Sequence, residues 1–467
     1  MKHSRDLVHE YGIKLQVDSS ALSPKKSGVF YSRDLSMNRG IVVAALAAYI
    51  ESGTSVLHPI RVLDGIGATG ILGLLLRNEF KESEVEVTVN DPNEEACSFI
   101  KENALLNSLS VEVVNRDACA LMHERAFNFI YLDCHTSAAQ YFDAAFKNIP
   151  KRGVFVITTS DDAALYGRTP EIAYRNYGGK IIKTAYFKEL AVRLVLAGLA
   201  RSAARFNKAI TVLCTVSVKA SFTLIIEVAK GAAKANDCLQ MVQSMLHCSF
   251  CEDWAFVPNT QYPLETPTSL LRCDCRHKCP GKTASCIGPL WSGPIFNCDF
   301  LSAMIKRMNL RVEKCDTISP LSCQSVASLL SHLLEEALCR KCKGFSTESK
   351  READDDQSKG PKRLKGNDWE SKKCVITSVN DENVNTVSSS SEESNDKMGH
   401  ETEGAPAFYL SLHHKLSGRG GGKVPRADSA VIRLREAGFR ASRTHFDPCA
   451  LRTNALPSDV WKLLGIQ

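Results

Sequence analysis

The chain has 467 residues, of which 44% are hydrophobic and 24% charged, and its formal net charge at pH 7 is +6. These values are ordinary for a globular protein of two or three domains, and the mild positive charge permits nucleic-acid binding without arguing for it. The first ten residues lack the apolar segment of a secretory signal, and the longest apolar run, Ile41 to Ile50, is too short for a membrane span. With 18 cysteines and no such signal, we expect thiols or metal ligands rather than disulfides, no membrane contact, and a cytosolic or nuclear location.

Residues 1–60 are a predicted lead-in with a basic loop, which contains Lys25 and Lys26, and a helix from Asn38 to Ile50. Over residues 61–235, short apolar runs alternate with helical patterns, which is typical of a parallel sheet in an α/β domain. The predicted strands are RVLD, VEVTVND, VEVVNRD, FNFIYLD and GVFVITT, followed by a long helix, KELAVRLVLAGLARSAARF, and two more strands, AITVLCTVSV and SFTLIIEVA. We expect the arginines of that helix to be satisfied locally, for example Arg193 by Glu189 one turn earlier.

A glycine-rich loop follows the first predicted strand. Asp64 ends the strand, and Gly65, Gly67 and Gly70 then form the pattern G-x-G-x-x-G before an apolar helix. Glycine is needed where the backbone turns tightly and comes close to a cofactor. Asp91, at the end of the next strand, stands where a carboxylate accepts hydrogen bonds from ribose hydroxyls. The loop therefore predicts either a nicotinamide dinucleotide or S-adenosylmethionine as cofactor.

The ends of the next two strands favour S-adenosylmethionine. Asp117 and Ala118 follow the third strand, where methyltransferases bind adenine, and Asp133 ends the fourth, where they hold the methyl acceptor. A nicotinamide-dependent oxidoreductase and a glycine turn without a ligand are the alternatives.

Residues 236–344 are interpreted as a Cys-rich insert and the start of a C-terminal domain. Cys248 and Cys251 form C-x2-C, and after 21 intervening residues Cys273 and Cys275 form C-x-C. Four thiolates at this spacing suit tetrahedral Zn²⁺ in a closed structural site. The ligand set is not unique, because four other metal-binding side chains lie nearby: His247, His277, Cys279 and Cys286. Plain buried thiols are the alternative.

Residues 345–405 are acidic, Ser-rich and poor in aromatic residues, and we predict a disordered linker there. Two basic clusters within it, between Lys350 and Lys365, have the form of a bipartite nuclear localisation signal. We therefore expect binding of a nuclear import receptor and a location in the nucleus, including the nucleolus. A plain solvated linker and a cytoplasmic location are the alternatives.

Residues 406–467 regain a globular pattern and complete the predicted C-terminal domain. Basic residues cluster there, with aromatic residues between them: Arg440, Arg443, His445 and Arg452. Phosphate contacts from these side chains, and from Lys25 and Lys26, would fix the register of a bound RNA. A solvated basic face is the alternative.

Together these segments resemble the tRNA guanine-N2 dimethyltransferases that act at the junction of the D arm and the anticodon stem, and most closely their animal dimethyltransferase-like branch. Matching blocks run from about residue 28 to 455 and skip only the predicted linker; they include GVFYSRDLSMNR, DGIGATGILGL, NDPNEEACSFIKEN, TTSDDAALYG and GFRASRTHFDPCALRTNA. Agreement over so many ordered blocks is far more specific than any single motif.

The resemblance implies a class I, Rossmann-like α/β methyltransferase domain, a Cys-rich zinc insert, and a C-terminal α+β domain that grips tRNA. It implies that S-adenosylmethionine is held by Arg39, Asp64, Asp91, Asp117 and Ala118, and the glycine-rich motif adds Gly65, Gly67 and Gly70 to this predicted cofactor site. It also implies that Asp133 holds the methyl acceptor, the N2 amine of a guanine extruded from the tRNA. The carboxylate would accept a hydrogen bond from the amine and position it for attack.

Two positions depart from the family pattern. In the family this Asp is followed by Pro-Phe-Gly, whereas here it is followed by Cys134-His135-Thr136, so that His135 would replace the ring that stacks on the base. Leu72 stands where the family has an arginine, which removes one cofactor contact. A paralogue that binds tRNA with weak or no catalysis is therefore the alternative function.

Overall fold

The computed structural model describes residues 5–18, 29–53, 59–257, 267–278, 281, 284–314, 320–339, 405–413 and 425–465. The chain divides into two units, and all of these residues belong to the unit formed by Met1–Cys342 and Gly404–Gln467. Several predicted features lie outside the described residues: Lys25, Lys26, Cys279, the import signal from Lys350 to Lys365, and nearly all of the predicted linker.

A β-hairpin that the sequence analysis did not predict precedes the first helix. Strands β1 (Arg5–Glu10) and β2 (Ile13–Asp18) pair antiparallel, and Gly12 in their turn has a φ of +88°, which glycine adopts without steric cost. Helix α1 (Ser36–Glu51) follows and contains the predicted helix. Its residues from Asn38 to Tyr49 are all buried, so α1 is enclosed on every side.

The centre of the fold is a seven-stranded sheet that confirms all seven predicted strands. Its strands are β3 (Ile60–Asp64), β4 (Val85–Asn90), β5 (Glu112–Val114), β6 (Phe129–Cys134), β7 (Val154–Thr159), β8 (Lys208–Val218) and β9 (Ser221–Lys230). The spatial order is β5-β4-β3-β6-β7-β9-β8. The first five strands run parallel, and the β8–β9 hairpin adds an antiparallel edge. The carboxyl ends of the parallel strands therefore share one edge of the sheet.

Helices cover both faces of this sheet. They are α2 (Ile71–Glu79), α3 (Glu94–Leu106), α4 (Ala118–Glu124), α5 (Phe142–Asn148), α6 (Asp162–Leu165), α7 (Pro170–Tyr177), α8 (Phe187–Arg205) and α9 (Ala232–Gln240). Alternate side chains of β6 enter two cores: Ile130 and Leu132 pack with α4, α5 and α8, whereas Phe129 and Tyr131 pack with α1 and α2. This burial on both faces explains why the strand sequences are continuously apolar.

The predicted Cys-rich insert is a three-stranded antiparallel sheet with a short helix. Its elements are β10 (Val242–Cys248), β11 (Trp254–Val257), α10 (Cys275–Lys278) and β12 (Ala284–Trp291). Two long helices follow it, α11 (Cys298–Lys314) and α12 (Pro320–Leu338). Although the sequence analysis placed them after a boundary at residue 236, both helices share the core that α1 forms on the central sheet.

The last described residues form a small α+β arrangement with its own core. Its elements are β13 (Leu410–Ser411), α13 (Ala427–Glu436), β14 (Ala441–Arg443), β15 (Ala450–Thr453) and α14 (Pro457–Leu464), with the strand order β13-β15-β14. Among the described helices of the whole chain, none combines the length and apolar character that a bilayer span requires.

A buried ion cluster joins this C-terminal sheet to the rest of the fold. Nη2 of Arg452, on β15, lies 3.0 Å from Glu189 of α8 and 2.7 Å from Glu336 of α12. Arg193 also pairs with Glu189, at 2.9 Å, which confirms the expected helical pair. Burial opposes the charge on Glu189, but Arg452 and Arg193 together hold its pKa below the usual value. We call these residues, with His445, the buried clamp; Arg452 and Glu189 are 263 positions apart in the chain.

The buried clamp corrects two predicted RNA contacts. Arg452 and His445 expose only 1% of their side chains, and Nδ1 of His445 lies 2.7 Å from Glu336. Neither group can reach a phosphate without breaking its ion pair. Sequence clustering could not distinguish them from surface cations, because a buried and a solvated arginine look the same in sequence. Arg440 is half-buried and donates to a backbone carbonyl, and Arg443 is 42% exposed beside Asp428.

We expect Arg452→Met to lower the free energy of unfolding by about 3–5 kcal/mol, because it leaves Glu189 and Glu336 buried with less compensation. Arg443→Met, which breaks an exposed ion pair, should change it by less than about 1 kcal/mol. Denaturant unfolding followed by tryptophan fluorescence measures both values. Equal effects of the two substitutions would contradict a structural role for the clamp.

Candidate active site

Three carboxyl groups meet at a cavity of about 300 Å³ on the carboxyl edge of the parallel strands. Asp64 ends β3, Asp91 follows β4, and Asp133 is the penultimate residue of β6. These strands are neighbours in the sheet, so the three predicted residues converge as parallel strand ends do. The cavity is also lined by Phe30, Tyr31, Ser32, Leu35, Arg39, Ile66, Gly67, Ala68, Thr69, Ile71, Leu72, Pro92, Asn93, Tyr131 and His135.

The glycine-rich loop forms one wall of this cavity. Gly67 lines it directly, and a Cβ atom there would lie 2.5 Å from a methyl carbon of Val89. Gly70 has a φ of +78° and immediately precedes α2, whereas Gly65 packs against Leu132. Gly65 and Gly70 therefore shape the loop but do not line the cavity. This close packing is why the loop cannot carry side chains at these positions.

Asp91 connects the glycine-rich loop to the loop that follows β4, because its carboxylate accepts backbone hydrogen bonds from both. Its Oδ2 accepts from Ala68 N at 2.9 Å, and its Oδ1 accepts from Asn93 N at 2.9 Å. Burial raises the pKa of Asp91 above its usual value. The sequence analysis missed a second connector, Asn90, whose side-chain amide donates to Gly65 O and to Arg116 O, both at 3.0 Å. An Asn directly before the Asp at the end of a predicted strand was the sequence signal that could have revealed it.

Asp117 and Ala118 lie beyond the described lining of the cavity. Asp117 is exposed and precedes α4, where its carboxylate accepts a hydrogen bond from Ala120 N at 2.9 Å. Ala118 is buried in the core beneath that helix. The carboxylate is therefore an N-cap, and both residues lie after the third strand, where the sequence analysis placed them.

Arg39 lines the cavity but is already paired. Its Nε and Nη2 atoms lie 2.6 and 2.7 Å from the two carboxylate oxygens of Glu10, and Nη2 also donates to Ser32 O at 2.8 Å. Tyr31 donates to the same carboxylate at 2.8 Å. The sequence analysis missed Glu10, because it did not predict the hairpin that carries this residue. The hairpin thus fixes the orientation of Arg39 and of the chain that carries Tyr31.

The cavity carries an excess of acidic groups. Burial, with contributions from Asp133 and Asp91, raises the pKa of Asp64 to about 7. Burial also raises the pKa of Asp133, against the opposing influence of His135 and Arg39. Among the described lining residues these three carboxyl groups face one guanidinium, which Glu10 already neutralises. Such a site favours a cationic ligand and disfavours an anionic one.

Two aromatic rings line the same cavity as Asp133. Phe30 and His135 meet edge to face, with ring centroids 4.7 Å apart, and both line the cavity. The buried phenol of Tyr131 lies close to Asp133, and burial together with that carboxylate raises the pKa of the phenol. The sequence analysis missed Phe30 and Tyr131 as site residues. The arrangement offers a hydrogen-bond acceptor beside a surface on which a flat ring can stack.

The four predicted metal ligands also come together. The Sγ atoms of Cys248, Cys251, Cys273 and Cys275 all lie within 4.8 Å of one another. Asp253 joins the two loops that carry them, because its Oδ2 accepts from Arg272 N at 2.8 Å and from Cys273 N at 3.0 Å. The neighbouring histidines lie elsewhere: His247 is buried with its Nδ1 2.6 Å from the hydroxyl of Tyr186, and His277 is exposed beside Arg276. The geometry therefore selects the set of four cysteines among the described candidates.

Comparisons with known proteins agree with this geometry. Residues 12–358 match the family model described as N2,N2-dimethylguanosine tRNA methyltransferase. The mouse and human proteins named tRNA (guanine(27)-N(2))-dimethyltransferase are 30% and 31% identical over 97% of this chain, which spans 62% of each relative. The Methanosarcina mazei tRNA (guanine(26)-N(2))-dimethyltransferase is 29% identical over 61% of this chain and 71% of its own length. The chain thus spans less than two thirds of these mammalian relatives.

A solved structure shares the fold. Trm1 from Pyrococcus horikoshii, determined in complex with S-adenosyl-L-methionine, superposes with a TM-score of 0.67. The match covers 98% of this chain and 99% of that chain at 20% sequence identity.

We expect Asp64→Asn to raise the melting temperature of the ligand-free protein at pH 8 but not near pH 4. Between pH 4 and about 7 the folded protein holds a proton on Asp64 that the unfolded chain has lost. In that interval, each unit by which the pH rises lowers the free energy of unfolding by about 1.4 kcal/mol through this group. Thermal unfolding at both pH values, with Asp237→Asn on the exposed side of α9 as control, measures the difference. Equal melting temperatures of Asp64→Asn and wild type at pH 8 would contradict the raised pKa.

Proposed function

Because the chain belongs to the N2,N2-dimethylguanosine tRNA methyltransferase family, we propose that it transfers methyl groups from S-adenosylmethionine to the N2 amine of a guanine in tRNA. The observation that carries this proposal is the acidic cavity at the carboxyl edge of the sheet, with Asp133 and two aromatic rings beside it. Family membership supplies the reaction class, and this cavity supplies groups that suit both reactants.

The part of the cavity lined by Asp64, Asp91 and the glycine-rich loop, which we call the cofactor half, suits S-adenosylmethionine. When bound, this cofactor supplies an electrophilic methyl group on a positively charged sulfur. Asp64 and Asp91 stabilise a cation there, and the glycine loop leaves room for the ligand to approach the backbone. The same carboxyl groups would repel the pyrophosphate of a nicotinamide dinucleotide. The cavity therefore argues against the oxidoreductase alternative.

The part of the cavity lined by Phe30, Asp133 and His135, which we call the acceptor half, suits a guanine extruded from its stack in the tRNA. The N2 amine is a poor nucleophile, because its lone pair is delocalised into the ring. Asp133 accepts a hydrogen bond from this amine and orients it, while Phe30 and His135 provide a stacking surface that replaces the neighbours lost on extrusion. A preorganised acceptor and an in-line position together lower the barrier. His135 stands where the family pattern has Phe, and its imidazole is also a flat ring on which the base can stack.

Guanine 27 is our proposed target position. The mammalian relatives named for guanine 27 match 97% of this chain, whereas the archaeal relatives named for guanine 26 match 61–67% of it. Both positions fit the predicted junction of the D arm and the anticodon stem. The choice therefore rests on the larger share of this chain that the relatives named for guanine 27 match.

We expect labelled N2-methylated guanosine at position 27 when the protein is incubated with labelled S-adenosylmethionine and unmodified tRNA. Asp133→Asn should lower the rate by about 10²–10³-fold, because it weakens the acceptor for the amine, whereas Asp237→Asn should not. Nucleoside mass spectrometry with position mapping reads out both results. Label at guanine 26 would correct the position; no label in any tRNA, with tRNA binding intact, would establish the binding-only alternative.

We also propose that the four clustered cysteines hold a structural Zn²⁺ ion. Zn–S bonds of about 2.3 Å in a tetrahedron place the sulfur atoms about 3.8 Å apart, and the observed limit of 4.8 Å fits with small adjustments. Among the described residues of the insert, the core around the cluster has four buried apolar residues: Leu246, Cys248, Val257 and Leu271. A metal ion would therefore supply much of the local stability.

We expect one Zn²⁺ per wild-type chain and less than one in Cys251→Ser, with a lower melting temperature in the variant. Cys286→Ser is the matched control, since Cys286 lies on β12 outside the cluster. Plasma emission analysis of dialysed protein gives the metal content. Equal zinc content in both variants would exclude the four-cysteine site.

A further inference from the structure

We propose that Ser160 and Tyr177 are positioning residues that hold residues 134–138, the acceptor loop, in the shape required for methyl transfer. The inference rests on the proposed function and deepens it. It assigns the task that proline performs in the family pattern to hydrogen bonds from two neighbouring segments. Neither residue is itself among those that line the cavity.

The acceptor loop needs an external support. Its first residue, Cys134, ends β6, and no ring fixes its φ as a proline does in the family pattern. The next two residues, His135 and Thr136, are exposed, so their side chains give the loop little anchorage in the core. Yet Asp133 and His135 must both keep their places for the amine and the base to be oriented.

Three successive carbonyl groups of the acceptor loop accept hydrogen bonds from the end of β7 and the residue after it. Ser160 donates twice, from its backbone N to Cys134 O and from its hydroxyl to His135 O, both at 3.3 Å. The hydroxyl of Thr159 donates to Thr136 O at 3.1 Å. Residues 159 and 160 thus follow the loop residue by residue, and their contacts do not depend on the loop's side chains.

Tyr177 holds the far end of the loop. Ala138 N donates to the hydroxyl of Tyr177 at 3.3 Å, and this hydroxyl in turn donates to Asp161 at 3.2 Å. Tyr177 is 1% exposed and its ring packs on Phe142, so the phenol is fixed in the core. Asp161 N donates to the hydroxyl of Thr159 at 3.4 Å. The network therefore closes on itself and supports the loop at both ends.

This support is separate from the cofactor half of the cavity. Asp64 and Asp91 are held by Gly73, Ala68 and Asn93, none of which contacts the network in the described hydrogen bonds. A displacement of about 1 Å in an acceptor group can lower the rate by about 10²-fold. Loss of one support should therefore lower kcat and leave the KM for S-adenosylmethionine unchanged.

The test compares Tyr177→Phe and Ser160→Ala with Tyr186→Phe. Tyr186 is a matched control, because its buried hydroxyl also makes a hydrogen bond, to His247, but is not part of the network. Methylation of tRNA is measured at saturating and limiting S-adenosylmethionine, together with the melting temperatures. We expect both tyrosine variants to lose similar thermal stability, whereas kcat falls about tenfold only in Tyr177→Phe and Ser160→Ala.

The conservative variant Ser160→Thr keeps the hydroxyl and should restore kcat to within about threefold of wild type. Equal kcat values for Tyr177→Phe and Tyr186→Phe, with an active wild type, would overturn the positioning role and leave the proposed function intact. A rise in the KM for S-adenosylmethionine without a change in kcat would also overturn it. A wild-type protein without any transfer would overturn both proposals.

Discussion

The ion pairs of Arg452 with Glu189 and Glu336 determine how the last segment of the chain joins the rest. They connect β15 to α8 and to α12, and the participating carboxylates are completely buried. Such pairs add little net stability, because desolvation offsets much of the attraction, but an unpaired member is very unfavourable. The clamp therefore specifies one docking geometry and penalises others. Glu189 stands in the first turn of α8 and also accepts a hydrogen bond from Phe408 N at 2.9 Å, so the chain leading into β13 is fixed at the same point.

In the acidic cavity, unlike in the buried clamp, the carboxyl groups are not matched by paired cations among the described lining residues. Asp64 is buried and Asp133 is half-buried, neither forms an ion pair among the described residues, and burial raises the pKa of both. This arrangement lowers the stability of the ligand-free protein near neutral pH. A cationic ligand relieves the repulsion, so that stability lost in the free state is regained as binding energy. The hairpin supports this design, because Glu10 neutralises Arg39 and leaves the cavity negative.

The departure from the family motif changes the contacts that hold the acceptor loop. It changes less the groups that the loop directs into the cavity. His135 still places a ring beside Phe30, and the Cys134 carbonyl survives any side-chain change. Contacts from Thr159, Ser160 and Tyr177 hold the backbone of this loop without the proline, and two of these residues lie in the matching block TTSDDAALYG. A departure within one motif is therefore a weak argument for lost catalysis when its neighbours fix the same backbone.

The sequence by itself determined the parallel strands, the glycine loop, the strand-end carboxylates and the cysteine spacing, because each depends on local periodicity or on a short fixed spacing. It could not reveal the partner of Arg39, since Glu10 lies on a hairpin whose apolar pattern covers only a few residues. It also misassigned Arg452 and His445, because only the folded chain brings Glu189 and Glu336, more than 100 residues away, into contact with them. Whether a charged side chain is buried and paired or solvated depends on contacts distant in sequence, and these only the tertiary structure decided.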